Sequence, residues 1–413
     1  MSCPGALPDS DAGAKPTMTH STTVALVMAM APIDKVISSF LHNSNPNNLG
    51  VDSDTIVIQD EFSKIIDSQW NGTPTGPSKR YLRALVKQFV KRIEERDGAI
   101  ESDLLSEFLF QSSLKSDTLP NADESCYLSF YLTRNKNENV ISEQPVSSSL
   151  MRVRIYPQHN DVALRLWEAG AFLAEFIMEY PSEVSGQRVI ELGAGIGCTA
   201  IVAAYLKASS VLATDYTAAC LDNLQHNIEM NQDFLQSSGS MCSLSQVSKL
   251  VDFVTPILRI IQQRLFGVHP SMVCMYLLWP QGYLEWSIFS EEMETTSSRE
   301  NQSRDKMYDT VLSEFYSADV LLAADVCYDI AVIDSLVLVM QSFLQQSTSK
   351  YALFAITKRN MTTFETFLGL LKKRHIKYEW VMRGSDCETI PQIFPCNFVQ
   401  TREEICIARL SYG

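Results

Sequence analysis

The chain is 413 residues long, 46% hydrophobic and 20% charged, the balance of a globular protein with a core and room for one large domain or two ordinary ones. A formal net charge of −14, from 34 basic and 48 acidic residues, repels phosphate backbones and argues against nucleic acid as a direct partner. Ten cysteines and six histidines show neither a Cys-x-x-Cys pair nor a metal-ligand spacing, so no disulfide framework and no metal site is expected, and the usage suits a reducing cytoplasm.

Residues 1–30, rich in Pro, Gly, Ser and Asp, read as a disordered leader. The apolar run Thr23–Ala31 at its end is short and lacks the basic n-region of a signal peptide, and reads as the flexible leader running into a first helix. No stretch reaches the roughly 18 apolar residues of a membrane span, so no membrane association is expected. Residues 31–125 form a helical N-terminal region: Tyr81, Leu82, Leu85, Val86, Phe89, Val90 and Ile93 recur at three and four residue intervals, which puts them on one helix face. A second helix is expected near Leu104–Phe110, and Asn71–Pro77 is a loop.

The remainder, 126–413, reads as an α/β domain. Strands are expected at Cys126–Leu132 and Val153–Tyr156, around a polar turn, followed by a helix over Leu164–Met178. Then strand Arg188–Leu192, helix Cys198–Leu206, strand Ser210–Thr214 and helix Ala218–Asn231 alternate, the signature of a parallel sheet. Residues 236–310 read as an irregular insert, with a helix expected over Val251–Leu265, a strand over Ser271–Leu278 and a charged, Ser-rich loop over Glu291–Asp309. The alternation resumes with strand Ala318–Ala323, helix Ile330–Leu344, strand Tyr351–Thr357, helix Thr363–Lys373 and strand Ile405–Leu410.

Four motifs carry chemistry. Glu191-Leu192-Gly193-Ala194-Gly195-Ile196-Gly197 lies between a strand and a helix, where glycines let backbone approach a nucleotide-like ligand. Its spacing is Glu-x-Gly-x-Gly-x-Gly, and Cys198 stands where a dinucleotide fingerprint needs its last glycine, which favours S-adenosylmethionine over a nicotinamide cofactor. Asp215 ends the second strand, where a carboxylate can accept from ribose hydroxyls or cap the next helix. Ala324-Asp325-Val326-Cys327-Tyr328 sets a carboxylate and a phenol just past a later strand, again able to cap the following helix instead. Leu284-Glu285-Trp286 offers an aromatic for an adenine ring or for a core gap.

Together these motifs resemble the class I, seven-stranded protein-lysine methyltransferases, and Leu166-Trp167-Glu168-Ala169-Gly170-Ala171-Phe172 is similar to a helix of that family preceding the glycine loop. Pro77–Lys87 resembles the N-terminal segment of those members that methylate eukaryotic elongation factor 2. The resemblance, over about residues 60–410, implies a doubly wound Rossmann-like seven-stranded sheet with a helical N-terminal extension. It implies S-adenosyl-L-methionine held by Trp167, Glu191, Gly193, Ala194, Gly195, Gly197, Asp215, Tyr216, Trp286 and Ala324, with Trp279 as a rival to Trp286 because residues 236–283 exceed the family's usual length. Asp325 and Tyr328 become the candidate catalytic residues lining a lysine channel, with a protein substrate, elongation factor 2, as partner. Another protein lysine, a small molecule or a non-catalytic adaptor role are the competing readings.

Overall fold

The computed structural model describes residues 18–43, 52–71, 75–95, 99–100, 102–113, 124–132, 150–215, 217–237, 243–246, 313–396, 398 and 402–413. These fall into two compact units, one up to residue 113 and one from residue 124 onward.

The first unit is helical: α1 Met18–Met28, α2 Ile33–Asn43, α3 Asp52–Trp70, α4 Lys79–Glu94 and α5 Asp103–Ser113. The Ser78 hydroxyl caps α4 by accepting from Tyr81 N at 3.1 Å, and the periodic face of the helix buries Leu82, Leu85, Val86, Phe89 and Val90. Phe89 stacks on Phe62 with centroids 3.7 Å apart, and Phe40 meets both edge-on. The second half of the expected leader departs from the sequence reading. Residues 18–28 are helix, and Val27 and Ala31 are buried in this core. The apolar run at Thr23–Ala31 outweighs the polar, Pro-rich residues before it, because burying it repays the ordering of one short helix.

The second unit opens with an antiparallel hairpin, β1 Cys126–Tyr131 and β2 Leu150–Ile155. After it come α6 Glu168–Glu179, β3 Arg188–Leu192, α7 Cys198–Tyr205, β4 Ser210–Thr214, α8 Ala218–Met230, α9 Gln232–Ser237 and β5 Ser243–Gln246. The unit continues through β6 Val320–Ala324, α10 Ile330–Leu344, β7 Tyr351–Thr357, α11 Met361–Lys373, β8 Ile376–Met382 and β9 Ile405–Tyr412. Among the described residues the sheet has seven strands in the order β5-β4-β3-β6-β7-β9-β8, parallel except for β9, which runs antiparallel to both neighbours. This is the doubly wound sheet that the alternating pattern implies. Helix α6 packs on α7 and on β6, β7 and β9, while α10 packs on α11, β7 and β9. Strand β7, which both α6 and α10 touch, is buried from Ala352 to Thr357. Central parallel strands read as unbroken apolar runs for this reason.

Two strands, β5 and β8, escape the sequence reading. Both are edge strands, and β8 (Ile-Lys-Tyr-Glu-Trp-Val-Met) keeps three consecutive exposed residues, so the apolar alternation that marks a half-buried strand is missing. The expected helix at Leu164–Met178 starts later, at Glu168, because Val162–Leu164 form a separate 3-10 turn capped by Asp161. The helix and strand expected within residues 251–278 lie outside the described residues.

One face of α8 ties the hairpin to the sheet. Asn223, Asn227 and Asn231, four residues apart and each at most 1% exposed, line up along β2. Asn231 Oδ1 accepts from Arg152 N at 2.9 Å and its Nδ2 donates to Arg152 O at 2.6 Å. Asn227 repeats the pattern on Arg154 N and O at 2.7 and 3.2 Å, and Asn223 Nδ2 donates to Arg154 O at 3.1 Å. Side-chain amides thus supply the hydrogen bonds that another strand would give β2. Among the described residues, no helix is long and apolar enough to cross a membrane, and no group of His, Cys, Asp and Glu is placed to hold a metal ion.

Candidate functional site

Three neighbouring parallel strands, β4, β3 and β6, end side by side at the carboxyl edge of the sheet. Ligands of open α/β sheets bind beyond such an edge. From β4 comes Asp215, from β3 the glycine loop, and from β6 Ala324 and Asp325.

The loop's conformation follows from its glycines. Gly193, Gly195 and Gly197 all have positive φ, at 65°, 53° and 85°, a region that side chains with a Cβ seldom occupy. A Cβ on Gly193 would collide with Val326 and one on Gly197 with Leu224, while one on Gly195 would sit 3.3 Å from Ala163 O. Ala194 N donates to Thr214 O at 2.8 Å, and Gly195 N donates to Asp215 Oδ2 at 2.8 Å. Gly197 is the N-cap of α7. Asn227 Nδ2 reaches the same loop, donating to Ile196 O at 2.9 Å.

Asp215 is 6% exposed and does not cap α8; Thr217 does, accepting from Cys220 N at 3.1 Å. The capping alternative for Asp215 is thereby removed. Burial and the Asp215 carboxylate together push the Cys220 thiol up, so it stays protonated. Below the loop, Glu191 is 2% exposed, and burial raises its carboxyl to about 8 against hydrogen bonds from Thr199 and Ala200. Its Oε2 is buried without a hydrogen-bond partner. A backbone cradle that no side chain could share, an acid at its flank and an orphaned carboxyl oxygen beneath it suit a ligand with an adenosine and a charged amino-acid end.

Asp325 has φ 53°, unusual for a residue other than glycine. Its side chain, 7% exposed, accepts from Thr357 N at 3.1 Å, from Thr357 Oγ1 at 3.0 Å and from Arg359 at 2.9 Å. It does not cap α10 either: Asp329 holds that place, accepting from Ala331 N at 2.9 Å. Arg359 also binds Glu168 Oε2 at 2.7 Å, and its guanidinium lies 5.1 Å from the centroid of the Trp167 ring. Trp167 is fixed in turn by donating Nε1–H to Val162 O at 2.7 Å. Tyr328 stands at 53% exposure on the loop between β6 and α10. Tyr216, Trp279 and Trp286 lie outside the described residues.

The structure therefore brings Trp167, Glu191, Gly193, Ala194, Gly195, Gly197, Asp215, Ala324 and Asp325 to one edge. Thr357, Arg359, Glu168 and Asn227 join them without having been singled out from sequence. Arg359 was open to discovery, since it lies two residues past the end of β7, and the Asn-x3-Asn-x3-Asn spacing marks a polar stripe on one helix face.

A family model described as "Lysine methyltransferase" matches residues 151–257, a range that takes in β2 through β5. The chain is similar to the protein-lysine N-methyltransferase EFM3 of Chaetomium thermophilum, 27% identical over 309 residues, 73% of this chain and 75% of that one. It is also similar to the protein N-terminal and lysine N-methyltransferase efm7 of Schizosaccharomyces pombe, 40% identical over 80 residues, 19% of this chain and 31% of that protein. Among solved structures, the CcbJ methyltransferase from Streptomyces caelestis overlaps 60% of this chain and 96% of its own, with a TM-score of 0.31 and 8% identity, a likeness too weak to carry any argument.

Proposed function

We propose that this chain, an S-adenosylmethionine-dependent lysine methyltransferase, transfers methyl to a lysine on a protein, and that the protein is eukaryotic elongation factor 2. The observation that carries the reading is the convergence of Asp215, the glycine loop and Asp325 at the ends of adjacent strands β4, β3 and β6. The similarity to EFM3 over about three quarters of both chains supports a protein substrate. The N-terminal helical segment around Pro77–Lys87 is what favours elongation factor 2. The buried thiols of Cys126, Cys198, Cys220, Cys327, Cys387, Cys396 and Cys406 suit a cytoplasmic setting.

Bound S-adenosylmethionine supplies an electrophilic methyl group on a sulfonium. Gly193–Gly197 would let the backbone approach it closely, Asp215 would accept from its ribose, and Trp167 and Ala324 would contribute further contacts. Trp286 and Tyr216 are assigned to the adenosine side. The attacking amine must be neutral, and deprotonating a free lysine at pH 7 costs about 4.6 kcal/mol. Asp325 does not act as the base: it orients the amine, Tyr328 walls the channel, and the proton leaves to solvent. Positioning the amine in line with the methyl group supplies much of the catalysis.

The test is transfer of labelled methyl from S-adenosylmethionine to purified elongation factor 2, followed by amino-acid analysis for methyllysine. Labelled methyllysine is expected. Labelling of a different protein in a cell lysate, with elongation factor 2 unlabelled, would overturn the substrate and keep the chemistry. Cofactor binding with no labelled protein at all would favour the adaptor reading.

A further inference from the structure

The edge described above contains an ion cluster that the assignment of Asp325 does not use. Arg359 stands between two carboxylates, Asp325 from the end of β6 and Glu168 from the first turn of α6, at 2.9 and 2.7 Å. Both side chains are nearly excluded from solvent, at 7% and 4% exposure, while the arginine keeps 29%. A guanidinium can serve two carboxylates at once because its N–H donors form a rigid planar fork; an ammonium is a single point charge.

Arg359 is itself confined. Its N–H donates to Thr357 O at 2.9 Å, so the turn leaving β7 is closed, and the Trp167 ring lies over its guanidinium. The same strand end also supplies Thr357, whose N–H and hydroxyl take up Asp325. In addition, Asp325 N donates to Ala355 O at 3.0 Å. Asp325 thus sits in a left-handed backbone conformation maintained from β7, and such strain persists only where the surroundings over-determine it. Three of its roughly four acceptor positions are taken by Thr357 and Arg359, leaving one direction for another donor.

We propose that Arg359 is a positioning residue for methyl transfer, which clamps Asp325 to Glu168 and so aims the remaining acceptor direction of the Asp325 carboxylate at the substrate amine. This rests on the assignment of Asp325 as the group that orients the amine. Arg359 touches neither amine nor cofactor in this scheme. Its loss frees a carboxylate to rotate, and a displacement of about 1 Å at a reacting group can cost about a hundredfold in rate.

The experiment compares Arg359→Ala, Arg359→Lys, Asp325→Ala and the Asp325→Ala/Arg359→Ala double variant. It measures kcat, KM for the protein that the wild type labels, cofactor Kd by calorimetry, and melting temperature. Arg359→Ala should lower kcat by roughly thirtyfold to a hundredfold, with cofactor Kd and KM within about threefold of wild type. Arg359→Lys should recover part of the loss, since one ammonium can hold Asp325 without bridging to Glu168. The double variant should be no slower than Asp325→Ala, because the clamp has nothing left to hold. A folded Arg359→Ala with wild-type kcat, or losses that multiply in the double variant, would overturn the proposal while Asp325→Ala stays slow but measurable. A fully active Asp325→Ala would overturn the assignment of Asp325, and the clamp with it. If Arg359→Ala does not fold, Arg359→Lys decides: wild-type kcat at a wild-type melting temperature overturns the clamp, and a lowered kcat at that temperature supports it.

Discussion

At Gly195 the backbone has φ 53° and a Cβ would stand 3.3 Å from Ala163 O, so a side chain there is both strained and crowded against neighbouring backbone. Gly195→Arg should abolish S-adenosylmethionine binding by calorimetry while far-ultraviolet circular dichroism stays near wild type; unchanged affinity would remove the cofactor from this loop. Glu191 makes a different, pH-linked prediction. Burial lifts its carboxyl from 4.5 to about 8, so the folded protein holds a proton that the unfolded chain releases above about pH 4.5. Its favourable contribution is complete below that pH and fades as pH climbs toward 8. Glu191→Gln should flatten the melting temperature between pH 5 and 8; a slope unchanged from wild type would show that other groups set it. The glycine spacing and the two aspartates were readable from sequence because strand-end positions follow from chain order alone. What Asp325 touches was not readable. Thr357 and Arg359 lie more than 30 residues away, and only the pairing of β6 with β7 brings them together.

Helix α8 carries the clearest prediction for an element. Asn227 bonds Arg154 N, Arg154 O and Ile196 O, all from a side chain that is fully buried. Asn227→Leu takes the side-chain partner from Arg154 N and Ile196 O, at about 1–3 kcal/mol for each unsatisfied group, while Arg154 O keeps its bond from Asn223. A melting temperature at least several degrees lower is expected, together with weaker cofactor binding, because Ile196 belongs to the glycine loop. Unchanged affinity in a destabilised variant would confine the asparagine to a structural role. Helix α1 gives the second. Removing residues 1–31 takes Val27 and Ala31 out of the core shared with Phe40 and Phe62, so the N-terminal unit should melt earlier. A truncated protein with an unchanged melting curve would restore the view of this stretch as a dispensable leader. Helices α4 and α10 were legible because each has a strong apolar period or a clear cap, Ser78 and Asp329. Strand β8 was not: its partner β9 lies 23 residues further on, and its own residues alternate poorly.

For the whole molecule, the net charge of −14 sets its encounters. Long-range repulsion from phosphate backbones should keep the protein from heparin or duplex DNA at physiological ionic strength. Retention on heparin resistant to about 0.15 M salt would point to a basic patch outweighing the average. The parallel sheet could be anticipated from the alternation of strands and helices and its seven strands only from the family resemblance, whereas the hairpin's attachment could not, because asparagine side chains substituting for a strand leave no apolar period to detect.

The place of β9 has a consequence for synthesis. It is the last of the seven strands to leave the ribosome, yet it lies between β7 and β8. While the chain is still emerging, β7 has an unpaired margin on the side away from β6, and β8 has no neighbour in the sheet. Such margins invite pairing with other chains. The strand whose end holds Asp325 through Thr357 is therefore exposed during translation for as long as it takes to make the residues up to Tyr412. The nascent protein should lean on chaperones over that interval, and a polypeptide released before Ile405 should aggregate even though its glycine loop is already complete.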